Sequence, residues 1–162
     1  SRRPRLLNIR DRFISMVPKN VGLKKIFPAV FLIKKKNLPA TDLTNPTPAI
    51  GFANKERFSL LERGPSDVIL ALALVHHLAI AKNIPLSYIA SLFSEIGQYL
   101  VIEFVPKEDS QAQKLLMNRE DIFSDYNQKS FEEIFNSFFE IKKVCPIRKS
   151  LRVLYLRKRR KK

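Results

Sequence analysis

Beyond residue 36 the apolar positions fall into blocks with two different spacings. Val68 to Val75 is an unbroken apolar run, which suits a strand buried on both faces, as in a parallel sheet. Helix is the alternative there, because Ala and Leu are good helix formers. Leu86, Ile89, Ala90, Phe93 and Ile96 then recur at helical spacing, between Pro85 at the start and Gly97 at the stop. Tyr99 to Val105 predicts a second strand, ended by Pro106. Asp109 can cap a helix through about Asn118. Phe131, Ile134, Phe135 and Phe138 form another helical stripe at i, i+3, i+4 and i+7. Ile141 to Ile147 and Leu151 to Leu156 predict two closing strands, paired antiparallel. Upstream, Asn37 to Thr44 reads as a short strand leading into the stiff Asn45 to Pro48 turn. Ala53 to Arg63 reads as a helix stopped by Gly64 and Pro65.

This order of strands and helices implies an α/β domain, with helices on both faces of a mostly parallel sheet. Ligands in such sheets lie beyond the carboxyl ends of the strands. Those ends are predicted at Asp42 to Asn45, Leu74 to His77 and Glu103 to Lys107. Their convergence on one cleft is the site hypothesis.

Charge changes the picture in one respect. The 162 residues carry 30 Lys and Arg against 15 Asp and Glu, a net charge of +15. Such a balance points toward nucleic acid, an anionic membrane surface or an acidic partner. The excess is terminal: residues 1–36 hold eleven basic residues and one acid, and residues 157–162 are all basic. The segment 37–156 is nearly neutral. The chain therefore divides into a basic segment 1–36, a domain-like 37–156 and a basic tail 157–162, read as solvated, through which nucleic acid could bind. The Arg-rich, acid-poor start is also compatible with a transit peptide.

Composition excludes several classes. One cysteine, Cys145, rules out an internal disulfide framework and a zinc site of several cysteines. The four glycines stand alone, so neither a dinucleotide fingerprint nor a Walker loop is present. The longest uncharged apolar stretch, Val68 to Ala81, falls short of the ~20 residues of a membrane-spanning helix. With no span, a cytoplasmic location is expected.

Few residues remain to carry chemistry. Asp42 at a strand end can accept a hydrogen bond from a ligand, or close a turn on its own backbone. Adjacent strand residues face opposite sides, so at most one of His76 and His77 points into the cleft, unless the chain has already turned. An imidazole there can orient a substrate or take a proton, or simply be hydrogen-bonded at the junction. Glu103 interrupts an apolar strand, where an unpaired charge is costly. It either faces the cleft at the strand's exposed end or pairs with a base. Cys145 is read as packed, and no metal-ligand spacing is present.

The segment Asp67 to Leu78 resembles the fourth-strand motif of class I S-adenosylmethionine-dependent methyltransferases. The resemblance extends to Asp42 to Gly51, Leu61 to Asp67, Ile102 to Asp109, Arg119 to Tyr126 and Arg152 to Leu156. Together these segments look like a bacterial, nodulation-protein-like branch of that superfamily. The resemblance implies a partial Rossmann-like methyltransferase sheet and S-adenosylmethionine as cofactor. It implies that Asp42 and Leu43 meet the adenine, and that Ala71, Ala73 and His76 lie near the methionine portion. His77 and Glu103 would border the substrate side, making His76, His77 and Glu103 the candidate catalytic residues. The family's glycine-rich first turn and the acid ending its second strand have no counterpart here. The chain thus looks like the C-terminal half of such an enzyme, its N-terminal βα units missing. A non-catalytic protein binding nucleic acid or acidic partners, and an incomplete reading frame, are the alternatives.

Overall fold

The structure, a computed structural model, describes residues 26–27, 43–117 and 120–161. Among these, five strands build one mixed sheet: β1 (Ile26–Phe27), β2 (Ser66–Ala71), β3 (Gly97–Phe104), β4 (Phe139–Pro146) and β5 (Val153–Arg159). Their order is β1-β2-β3-β5-β4. β1, β2 and β3 pair in parallel, whereas β5 runs antiparallel to both β3 and β4. Four strands therefore point one way, and β5 returns through the gap left between β3 and β4. The antiparallel closing pair matches the sequence expectation, but the sheet as a whole is mixed rather than mostly parallel, with two parallel and two antiparallel pairings among the described residues. The parallel neighbour of β2 departs from it as well: Ile26 and Phe27, from the basic segment, pair with Val68 and Ile69. Residues 37–42 of the predicted upstream strand lie outside the described residues, and Leu43 and Thr44 open a turn.

Helix α1 (Leu86–Ile96) links β2 to β3, and α2 (Ser110–Leu116) and α3 (Gln128–Phe138) link β3 to β4. Side-chain alternation puts Ile69, Ala71, Leu100, Ile102, Phe104 and Tyr155 on one face of the sheet. Against them pack Ile89, Ala90 and Phe93 of α1 with Phe131 and Phe135 of α3. The rings of Phe104 and Phe131 lie 4.9 Å apart, those of Phe131 and Phe135 4.5 Å. Each such ring, fully buried, stabilises the fold by roughly 1.5–3 kcal/mol.

The buried residues of all three helices belong to this one cluster. The opposite face carries a smaller cluster, Val68, Val101, Leu154 and Leu156, edged only by residues from strands and adjoining loops. Among the described residues, then, helices cover one face rather than two. The strand order explains this. From β1 to β4 the chain advances across the sheet in a single direction, so crossovers of one hand fall on one side. Helices on the second face require a reversal of strand order.

The predicted helix at Ala53 to Arg63 is absent. Phe52–Asn54 makes a short 3-10 turn in which Ala53 and Asn54 adopt positive φ, and Ile50 bridges to Arg57. Ser59 and Glu62 do exchange capping hydrogen bonds. Gly64 and Pro65 follow too soon for more than one turn. Elsewhere helix passes straight into strand: Gly97 closes α1 and opens β3, where a Cβ would collide with the Ile69 side chain.

Candidate active site

The apolar run is only partly strand. β2 ends at Ala71, and at Ala73 the backbone swings to φ 50°, a left-handed conformation rare for a non-glycine residue. The Ala73 N–H donates to Glu103 Oε2 at 2.8 Å. The chain then coils: the N–H groups of His77 and Leu78 both donate to the Leu74 carbonyl, and a π turn spans His77–Ala81. Leu74 to His77 is therefore a helical turn, not the strand end the sequence predicts. Ala and Leu favour helix, and the Glu103 carboxylate captures the N–H just beyond the strand. His76 and His77 consequently do not face opposite sides of a strand; their rings lie 4.3 Å apart at 42°.

Glu103 is 3% exposed and shares the face of Val101. Its Oε1 accepts from Arg152 Nη1 at 3.2 Å. Arg152 grips Asp109 with two further hydrogen bonds, Nε to Oδ2 at 2.7 Å and Nη2 to Oδ1 at 2.8 Å. Asp109 also caps α2, as predicted, by accepting from the Gln111 N–H. The Arg152 hydrogen bonds hold the Asp109 carboxyl below the usual carboxylate range, and Asp109 in turn raises the guanidinium. Of the two readings of Glu103, pairing with a base is the one realised. Both of its oxygens are engaged, so it acts as a brace between β2, β3 and the start of β5.

His76 is 1% exposed, and its Nδ1 has no hydrogen-bond partner. Burial lowers its pKa to about 4, helped by the nearby His77 and Arg152 charges and opposed by Asp109. Burial also lowers His77, which is half-buried. Both imidazoles are thus neutral at pH 7: weak bases, but able to accept hydrogen bonds. Nearby, the buried Tyr126 hydroxyl donates to the Val105 carbonyl at 2.7 Å, and burial pushes the phenol up.

The structure therefore brings Ala73, Glu103, His76 and His77 together at the ends of β2 and β3. Ala71 is fully buried just before them, and Leu43 lies in the same apolar cluster. Asp42 is outside the described residues. Cys145 packs beside the smaller cluster on the opposite face. No described group of three His, Cys, Asp or Glu residues could hold a metal, and no described helix is long and apolar enough to cross a membrane. A cavity of about 360 Å³ opens between the start of α1 and the loop before α3, lined by Ile84, Leu86, Phe123 and Tyr126 among others. None of the predicted site residues lines it.

Comparison with known proteins gives one informative likeness. Over 114 residues, 70% of this chain, the sequence is 40% identical to Nodulation protein NoeA of Rhizobium meliloti (strain 1021). The chain spans only 24% of that protein's length. No family model matches the chain, and no solved structure matches it.

Three charged residues of this architecture escape a residue-by-residue reading. Asp109 is legible as a cap but not as a partner for Arg152. Arg152 carries a faint signal: it stands two residues before Leu154, which the sheet register places opposite Glu103. Arg157, read as the start of a solvated tail, is instead fully buried within β5. Its guanidinium lies 5.2 Å from the Phe131 ring centroid and 5.0 Å from that of Tyr155, and Nη1 donates to Asn136 Oδ1. Nε and Nη2 have no partner, and burial lowers the pKa to about 10. Arg159 donates to the Ser94 carbonyl and Arg160 to that of Asn136. Much of the terminal basic run is thus built into the fold, because the sheet continues through it and long basic side chains can lay their stems on apolar surface.

Proposed function

We propose that the described domain belongs to a class I S-adenosylmethionine-dependent methyltransferase. In this reading the ends of β2 and β3 border the cofactor's methionine portion and the methyl acceptor. The observation that carries it is the end of β2. There, beyond a strand paired in parallel on both sides, Ala73 is held at positive φ by Glu103, and the buried His76 keeps an unpartnered Nδ1. Strained backbone and orphaned buried polar atoms concentrate at functional sites. The closing antiparallel pair and the likeness to a nodulation protein support the same reading.

In this reading the residues at the end of β2 surround the ligand. Ala73 offers only a methyl group just past the strand end, with Ala71 buried behind it. Leu43, read as the adenine-side contact, belongs to the same apolar cluster as Ala71. S-adenosylmethionine, when bound, supplies an electrophilic methyl group on a sulfonium. The chain's own task is to hold the acceptor in line with that methyl. Glu103 is committed to Arg152 and Ala73, so it positions rather than moves a proton. His76, neutral and buried, is suited to accept a hydrogen bond at Nδ1. In this reading His77, the less buried of the two, takes the proton from the acceptor. Isothermal titration calorimetry on the purified chain tests the proposal. Heat of binding for S-adenosylmethionine or its demethylated product is expected, weakened by His76→Leu. A folded chain that gives no heat with either compound refutes it.

A further inference from the structure

Arg152 joins three segments that are far apart in sequence. It holds Asp109, the cap of α2, with two teeth and reaches Glu103 with its remaining nitrogen. Glu103 passes the connection on to the Ala73 N–H, the first backbone donor past the end of β2 in the left-handed region. A non-glycine residue at φ 50° is disfavoured by contact between its Cβ and the backbone, so something must hold it there. The hydrogen bond to Glu103 is a contact in place to do so. A carboxylate left buried without a cation would be expensive, and a paired one is also fixed in direction. The guanidinium fork supplies both conditions: it neutralises Glu103 and, anchored on Asp109, sets the angle at which Oε2 meets Ala73.

We infer that Arg152 is a positioning residue, which acts through Glu103 to hold the Ala73 turn in its left-handed conformation and so shapes the end of β2. This inference deepens the proposed function, and rests on it for its catalytic meaning, because that turn is the edge assigned to the cofactor. The positioning itself is a property of the free chain and is measured without any ligand.

Hydrogen–deuterium exchange resolved to single amides is the experiment, comparing the native chain with Arg152→Gln. Protection of the Ala73 amide is expected to fall by roughly tenfold, while the Ile102 amide within the β3 ladder stays unchanged. The His76 titration midpoint, followed by NMR, should move upward in the same variant, because the cation that disfavours its protonation is gone. Unchanged Ala73 protection overturns the inference. So does an equal loss at Ile102, which would make Arg152 a stabiliser of the whole sheet. If Arg152→Gln does not fold, Arg152→Lys keeps a cation but not the fork. It is expected to lose at least about threefold protection at Ala73 alone, and no selective loss overturns the inference. Failure of the chain to bind S-adenosylmethionine refutes the proposed function and leaves the exchange result to judge Arg152.

Discussion

Removing His76 should flatten the acid side of the stability profile. The imidazole is 1% exposed, and its pKa falls from 6.5 to about 4 on folding, chiefly through burial. Between those values the unfolded chain binds a proton that the folded chain does not. Stability therefore rises with pH across the interval: the contribution is fully present above about pH 6.5 and is lost as pH falls toward about 4. The whole shift corresponds to roughly 3 kcal/mol, of which about 1.4 kcal/mol is lost between about pH 7.5 and about pH 5.5. For a chain of this size that is about 4 °C in melting temperature. Urea denaturation of the native chain and of His76→Leu at the two pH values isolates the effect. His77, whose pKa is also lowered by burial, is present in both proteins, so the difference reports chiefly on His76. The carboxylates held low, Asp109 among them, titrate below this window. The native chain should lose about 1.4 kcal/mol more than the variant on acidification. Equal losses would refute the argument that His76 is buried in its neutral form.

Two further substitutions probe the packing around the site. Arg157→Met should change stability by no more than about 1 kcal/mol, because it exchanges a buried cation with two unpartnered nitrogens for an apolar chain of similar reach. Arg157→Ala should cost at least about 2 kcal/mol through the cavity it leaves, and denaturant titration showing the reverse order would contradict the burial described here. Gly97→Ala should cost roughly 1–3 kcal/mol, since the new methyl meets Ile69, and Ile69→Val in the same chain should recover part of it. Thermal unfolding of the single and double variants decides whether that contact is tight.

Periodicity determined a good deal by itself. The stripe Leu86, Ile89, Ala90, Phe93 and Ile96 becomes the buried face of α1, and Phe131 and Phe135 become that of α3. Tyr99 to Val105 lies almost wholly within β3, Asp109 caps α2, and the two closing strands pair antiparallel. These outcomes depend on which side of one element is apolar, and that is written in local spacing. The candidate site depends on other things. Where the run Val68 to Val75 stops being strand is decided by a carboxylate 30 residues away, which takes the Ala73 N–H. Whether Glu103 is exposed or braced is decided by Arg152, 49 residues on, through the register of β5 against β3. Whether Arg157 is tail or core is decided by how far β5 extends beneath the Phe131 and Phe135 rings of α3. Spacing along a chain reports which residues avoid water, whereas the partner that neutralises a buried charge is chosen only when distant strands come into register.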